Sequence, residues 1–118
     1  MEFDAEERTN EVLRALAEPR RRQILRLVAG GERAAGDIAA EFEVTRTAIS
    51  QHLTVLKAAG LLHERRDGTR RLYSVRSEAL EEARRVLDRA WSNALDTARS
   101  LVEEEAGTSG DHIRERAG

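Results

Sequence analysis

Cysteine is absent from the 118 residues, which excludes disulfides, thiolate metal sites and cysteine nucleophiles. Aromatic residues make up only 3%, so the core has to be aliphatic. No stretch approaches the roughly 18 apolar residues of a membrane span. The N-terminus, Met-Glu-Phe-Asp-Ala-Glu-Glu, has neither the basic start nor the apolar run of a secretory signal. No repeat or low-complexity tract is visible. What is present is 40% hydrophobic and 36% charged residues, the balance of helices with solvated outer faces. A chain this long buries about two-thirds of its unfolded surface, enough for a core without covalent staples. A soluble, cytoplasmic domain is expected.

The net charge of −2 conceals an uneven distribution. Residues 1–43 carry −3 and residues 77–118 carry −4, but residues 44–76 carry +5. Their cations are Arg46, Lys57, Arg65, Arg66, Arg70, Arg71 and Arg76, against Glu64 and Asp67 alone. A basic middle between acidic flanks points to a polyanionic partner; the plainer alternative is an ordinary solvated surface.

Residues 6–16 read as a first helix with Val12, Leu13, Leu16 and Ala17 on one face. Glu18-Pro19 breaks it, and proline suits the first position of the next helix, Pro19–Ala29, which buries Ile24, Leu25 and Val28 and stops at Gly30-Gly31. Arg20, Arg21 and Arg22 open that helix, where cations are locally unfavourable, so some should pair with Glu or Asp elsewhere. A short helix follows over 35–42, with Ile38, Ala39 and Phe42 inward. Thr45 is a natural N-cap for a fourth helix, Arg46–Ala59, closed by Gly60. Strands over 61–66 and 69–75 flank Asp67-Gly68, a two-residue hairpin signal; Tyr73 and Val75 share a strand face. Ser77–Glu105 is one long helical pattern, ended by Gly107-Thr108-Ser109-Gly110. The expected organisation is one domain over 1–106 and a flexible tail over 107–118.

Two helices joined by a tight turn, followed by a hairpin, make a winged helix-turn-helix. The expected class is therefore mostly α, with a two-stranded antiparallel wing and a long C-terminal helix. On the fourth helix Ala48, Ile49, Leu53 and Leu56 form the inward stripe, leaving Arg46, Thr47, Ser50, Gln51, Thr54 and Lys57 outward. This outward set holds no acid to repel phosphate. It offers arginine for guanine, glutamine for adenine, and hydroxyls for either. A generic surface helix would mix in Glu or Asp as i,i+4 partners. In the wing, Arg65, Arg66, Arg70 and Arg71 place four guanidiniums on a projecting ribbon, suited to phosphate. Positive charge protecting an edge strand is the competing explanation.

Of three histidines, His52 lies beside the inward stripe, with a structural role and a phosphate contact equally open. His63 falls on the first wing strand. His112, near Asp111 and Glu115, makes a poor metal cluster in a Gly-bounded tail. No nucleophile–base pair or phosphate-cradling glycine motif stands out, so an enzyme is not expected. In the long helix Leu80, Leu87, Ala94 and Leu101 recur every seven residues, with Ala83, Ala90, Trp91 and Ala98 between them, and Val86, Leu95 and Val102 broaden the stripe. One edge can cover the domain while another meets a partner. The single tryptophan, Trp91, suits an interface anchor.

The run Leu13-Arg-Ala-Leu-Ala-Glu-Pro-Arg-Arg-Arg-Gln-Ile-Leu25 is joined by Val44-Thr-Arg-Thr-Ala-Ile-Ser-Gln-His-Leu-Thr-Val-Leu-Lys-Ala-Ala-Gly-Leu-Leu62 and by Arg70-Arg-Leu-Tyr-Ser-Val75. Together they resemble the ArsR family of bacterial winged-helix repressors over about residues 10–100, with Ser-x-His-Leu and Ala-Gly-Leu-Leu the most specific elements. The resemblance implies a homodimer formed by the first and last helices, with Val12, Leu13, Leu80, Leu87, Trp91, Ala94, Leu95, Ala98, Leu101 and Val102 as interface candidates. It implies repression from the protein's own promoter region, and a recognition helix whose base-facing residues are Arg46, Thr47, Ser50, Gln51 and Thr54. With His52, Lys57 and the four wing arginines these complete the DNA-binding set. The chain departs from the family's metal sensors: Glu32–Ala39 has no cysteine and Ser77–Glu105 no histidine. No metal or other cofactor is expected, and the metal-independent autorepressor type fits best. A winged-helix module docking an acidic protein, or a switch gated by an unidentified small molecule, are the rival readings.

Overall fold

In a computed structural model, the backbone is described for residues 4–117 and the side chains for residues 4–106. The chain divides into two compact units, Met1–Arg84 and Arg85–Gly118. The order of elements is α1 (Ala5–Leu16), α2 (Pro19–Ala29), β1 (Arg33–Ala34), α3 (Ala35–Ala40), α4 (Arg46–Ala58), β2 (Leu62–Asp67), β3 (Arg70–Val75) and α5 (Glu78–Ala117).

Local chemistry sets most of these boundaries. The Asp4 carboxylate accepts from the Glu7 N–H at 2.8 Å and starts α1. Glu18 accepts from the Arg21 N–H at 3.1 Å, with Pro19 following it into α2. Thr45 Oγ1 accepts from Ala48 N–H at 3.1 Å and opens α4, each cap satisfying an orphan donor of the first turn. Gly60, at φ +80°, adopts the left-handed conformation that ends α4. At the start of α2, Arg20 acts electrostatically on Glu18, whereas the guanidiniums of Arg21 and Arg22 bond to backbone carbonyls. The Arg21 guanidinium donates to the carbonyls of Ala15 (2.7 Å) and Arg14 (3.2 Å), and Arg22 donates to Leu16 (2.7 Å). They cap the carbonyl end of α1, where a cation is favourable.

Within Met1–Arg84 the helices bury Val12 and Ala15 of α1, Ile24 and Val28 of α2, and Ile38 of α3. Ile49, Leu53 and Leu56 of α4 pack with them, joined by Leu61, Leu62, Tyr73 and Ala83. Apart from Tyr73 this core is aliphatic. Leu13 and Ala17 lie exposed, and Thr9 takes the inward position on α1. The Thr9 hydroxyl donates to the Ala5 carbonyl at 2.7 Å, so the side chain enters the core with its polar group satisfied.

The sheet has three strands rather than two, in the order β1-β3-β2, all antiparallel. Strand β1 pairs Arg33 with Tyr73 and Ala34 with Leu72. Asp67 pairs with Arg70, so the two-residue turn is Gly68-Thr69, one residue later than expected. Gly68 carries the positive φ of +65°, as a II′ hairpin turn requires at its first loop residue. Val75 is exposed while Tyr73 is buried. Helix α5 runs to Ala117, past Gly107, where the sequence predicts a stop. The side chains of 107–117, and with them the expected tail and His112, lie outside the described residues.

Candidate nucleic-acid interface

Helix α4 sorts its residues as its spacing predicts. Ile49, Leu53 and Leu56 are buried, Ala48 is half-buried, and Arg46, Thr47, Ser50, Gln51, Thr54 and Lys57 are exposed. Arg46 and Lys57 stand at the two ends of a face with no acidic residue. His52 departs from the set: it is half-buried, with Nε2 4.0 Å from the Glu18 carboxylate. That position turns it toward α2 and away from the outward face. Val55, absent from the expected set, is 39% exposed beside Gln51 and Thr54.

The pleat of the wing divides its four arginines. Opposed residues of an antiparallel pair share a face, and alternate residues along a strand share it too. The register Arg66↔Arg71 and Glu64↔Tyr73 therefore puts these four on one face. Arg65, Asp67, Arg70 and Leu72 take the other. On that second face Arg65 donates twice to Glu32, at 2.8 and 2.7 Å, and Arg70 reaches Asp37 at 3.4 Å. The fork of Arg65 is thus already filled by a carboxylate.

The face with Arg66 and Arg71 looks to α4. Glu64 accepts from the Tyr73 hydroxyl at 2.8 Å and lies 3.5 Å from the Lys57 ammonium. The Tyr73 hydroxyl holds the Glu64 carboxyl below its ordinary range, outweighing partial desolvation, with Lys57 adding to the effect. Burial, then the bond to Glu64, pushes the Tyr73 phenol up to about 12. Arg71 stands near both groups, whereas Arg66 has no ion pair among the described residues. Two guanidiniums directly opposed on one face repel, an arrangement that an external anion relieves. Between α3, the start of α4 and the wing lies a cleft of about 470 Å³, lined by Arg46, Ser50, Arg70, Arg71 and Tyr73.

Two sites named by the sequence remain. Among the described residues no cluster of three or more His, Asp or Glu is arranged to hold a metal. Of the interface candidates, Leu13, Leu80, Leu87, Ala94, Leu95, Ala98, Leu101 and Val102 are exposed, and Trp91 is 67% exposed. Val12 is 1% exposed. It belongs to its own core, because the inward stripe of α1 runs through Thr9, Val12 and Ala15 at spacings of three, and it has no surface to offer a partner. No helix among the described residues is long and apolar enough to cross a membrane.

The model of the bacterial regulatory protein family arsR matches residues 18–64. The HTH-type transcriptional regulator Rv2034 of Mycobacterium tuberculosis is 43% identical over 91 residues, covering 77% of this chain and 85% of that protein. The transcriptional repressor SdpR of Bacillus subtilis is 39% identical over 74 residues, or 63% of this chain and 82% of its own length. Among solved structures, an ArsR-like transcriptional regulator from Rhodococcus sp. RHA1 superposes with a TM-score of 0.71 at 25% identity, over 84% of this chain and 96% of that one.

Proposed function

Because this chain belongs to the ArsR family of transcriptional regulators, whose helix-turn-helix binds double-stranded DNA, we propose that it is a sequence-specific homodimeric repressor acting on the promoter region of its own gene. Helix α4 enters the major groove, and the two protomers read half-sites about one helical turn apart. The observation that carries this reading is the outward face of α4, which has no acid of its own, beside the wing face that carries Arg66 and Arg71. Arg46, Thr47, Ser50 and Gln51 meet base edges. Arg66 and Arg71 meet phosphate. The similarity to the repressor SdpR supports repression as the outcome. The exposed Leu80, Leu87, Trp91, Leu95 and Leu101 suit a second copy of the chain. Regulation without metal accords with the lack of cysteine, and a cytoplasmic location accords with a regulator that binds DNA.

Fluorescence anisotropy on DNA from upstream of the gene, against a scrambled duplex at two salt concentrations, tests the reading. Preference for its own DNA by about 10³-fold or more is expected. Equal binding to both duplexes would remove autoregulation, and no binding to either at low salt would favour a module that docks an acidic protein.

A further inference from the structure

The outward face of α4 is polar at most of its positions, but Thr54 and Val55 make one part of it less so. Thr54 is exposed, yet its hydroxyl donates to the Ser50 carbonyl at 3.0 Å. That donor is spent within the helix, which leaves Thr54 its methyl group and its acceptor lone pairs for an outside partner. Val55 adds two more methyl groups. With Thr47, Ser50 and Gln51 these residues form one open, nearly flat patch lying wholly on α4. Ile49, Leu53 and Leu56 fill the core side of α4, whereas Val55 keeps 39% of its surface exposed beside Gln51.

We propose that Thr54 and Val55 form a methyl-reading patch whose occupant is the C5-methyl group of thymine in the major groove. The inference rests on the DNA-binding reading and deepens it by naming a base. Thymine is distinguished in the major groove by that methyl, which is recognised through apolar contact. The patch is far too small to serve a protein partner, whose stable interfaces bury on the order of 1,000 Å² or more. Arg46 stands on the same exposed side of the helix, which carries no acidic residue, so a polyanion is the partner that brings a base edge to it. Gln51 lies one helical turn before Val55 and suits adenine N6 and N7. The half-site should therefore carry A·T pairs where these two residues meet it.

The test begins with selection of preferred duplexes from a random-sequence library by the full-length protein. Each thymine of the selected half-site is then replaced singly by deoxyuridine, which removes the methyl and nothing else. At least one replacement should weaken binding about fourfold, the worth of one buried methyl group. Val55→Ala combined with Thr54→Ser should bring the thymine-to-deoxyuridine ratio at that position to about one. Arg66→Ala should weaken both duplexes equally and leave the ratio unchanged. A selected site indifferent to every thymine methyl would overturn this inference while leaving the DNA reading intact. So would a ratio that survives in the double variant. Failure to select any sequence, with no salt-sensitive DNA binding, would overturn both.

Discussion

The wing offers a quantitative test, because its four arginines look equivalent in sequence and are not equivalent in the fold. Each phosphate contact contributes about 0.9 to the slope of log affinity against log salt for B-DNA. A dimer carries every substitution twice, so losing one contact per protomer should flatten that slope by about 1.8. Over a fourfold rise from about 50 to 200 mM salt, this amounts to about a 12-fold smaller loss of affinity. Arg66→Ala should show the full effect, since Arg66 has no ion pair among the described residues and shares the α4-facing side of the wing with Arg71. Arg65→Ala should leave the slope unchanged, because its guanidinium is held by both oxygens of Glu32. Conversely, Glu32→Gln should steepen the slope by freeing Arg65. Anisotropy on a random duplex across a salt series reads all three. If Arg65→Ala flattens the slope as much as Arg66→Ala, the division of the wing by its pleat is wrong.

Three further outcomes follow from the packing and the charges. The hydrogen bonds from Arg65 hold the Glu32 carboxyl below its ordinary value of 4.5; a depressed carboxylate contributes stability that is fully present above that value and lost as pH falls through the folded one. Urea midpoints should fall between about pH 5 and pH 3, and less steeply in Glu32→Gln; equal falls would sever the link. Leu56→Ala, at a fully buried position, should cost about 2–5 kcal/mol, while its exposed neighbour Val55→Ala should stay within about 0.5 kcal/mol; similar losses in urea melts would contradict the orientation of α4. Trp91 is the single tryptophan, so its emission should shift to the blue as protein concentration rises through dimerisation. Trp91→Ala should weaken the dimer by tenfold or more, as loss of an interface anchor does; emission and sedimentation both independent of concentration would rule the helix out as the interface.

The helices were legible where their ends are local chemistry. Pro19 and Gly30 bound α2 at the residues expected, and Thr45 and Gly60 place α4 to within one residue. Faces were legible only where hydropathy tracks packing. On α1 the pattern favours Leu13, but the fold buries Thr9, whose hydroxyl is satisfied by its own helix and which then packs as an apolar group. Thr54 repeats the lesson on the outside of α4: counted as a hydroxyl in sequence, it spends its donor on its own helix in the fold. An internal i−4 hydrogen bond removes a threonine's donor from outside partners, and composition cannot register that.

The functional surface was harder to read, because one two-residue strand controls it. Strand β1, Arg33–Ala34, is too short to show alternation, yet its pairing with β3 brings Glu32 and Asp37 from 33 residues away to Arg65 and Arg70. The turn contributes as well. A hairpin turning on Asp67-Gly68 would oppose Arg65 to Arg70; turning on Gly68-Thr69 it opposes Arg66 to Arg71. Both registers keep the same residues on the same faces, since partners shift by two in the sum of their numbers. What changes is which guanidiniums repel each other. In the observed register the acids neutralise one face and leave the other two arginines facing across the ribbon on the α4 side. The wing thus leaves Arg66 without an ion pair on the side next to α4, with Arg71 near Glu64, while on the other face Glu32 and Asp37 engage Arg65 and Arg70. On the proposed reading, weak non-specific attraction leaves discrimination between sites to α4.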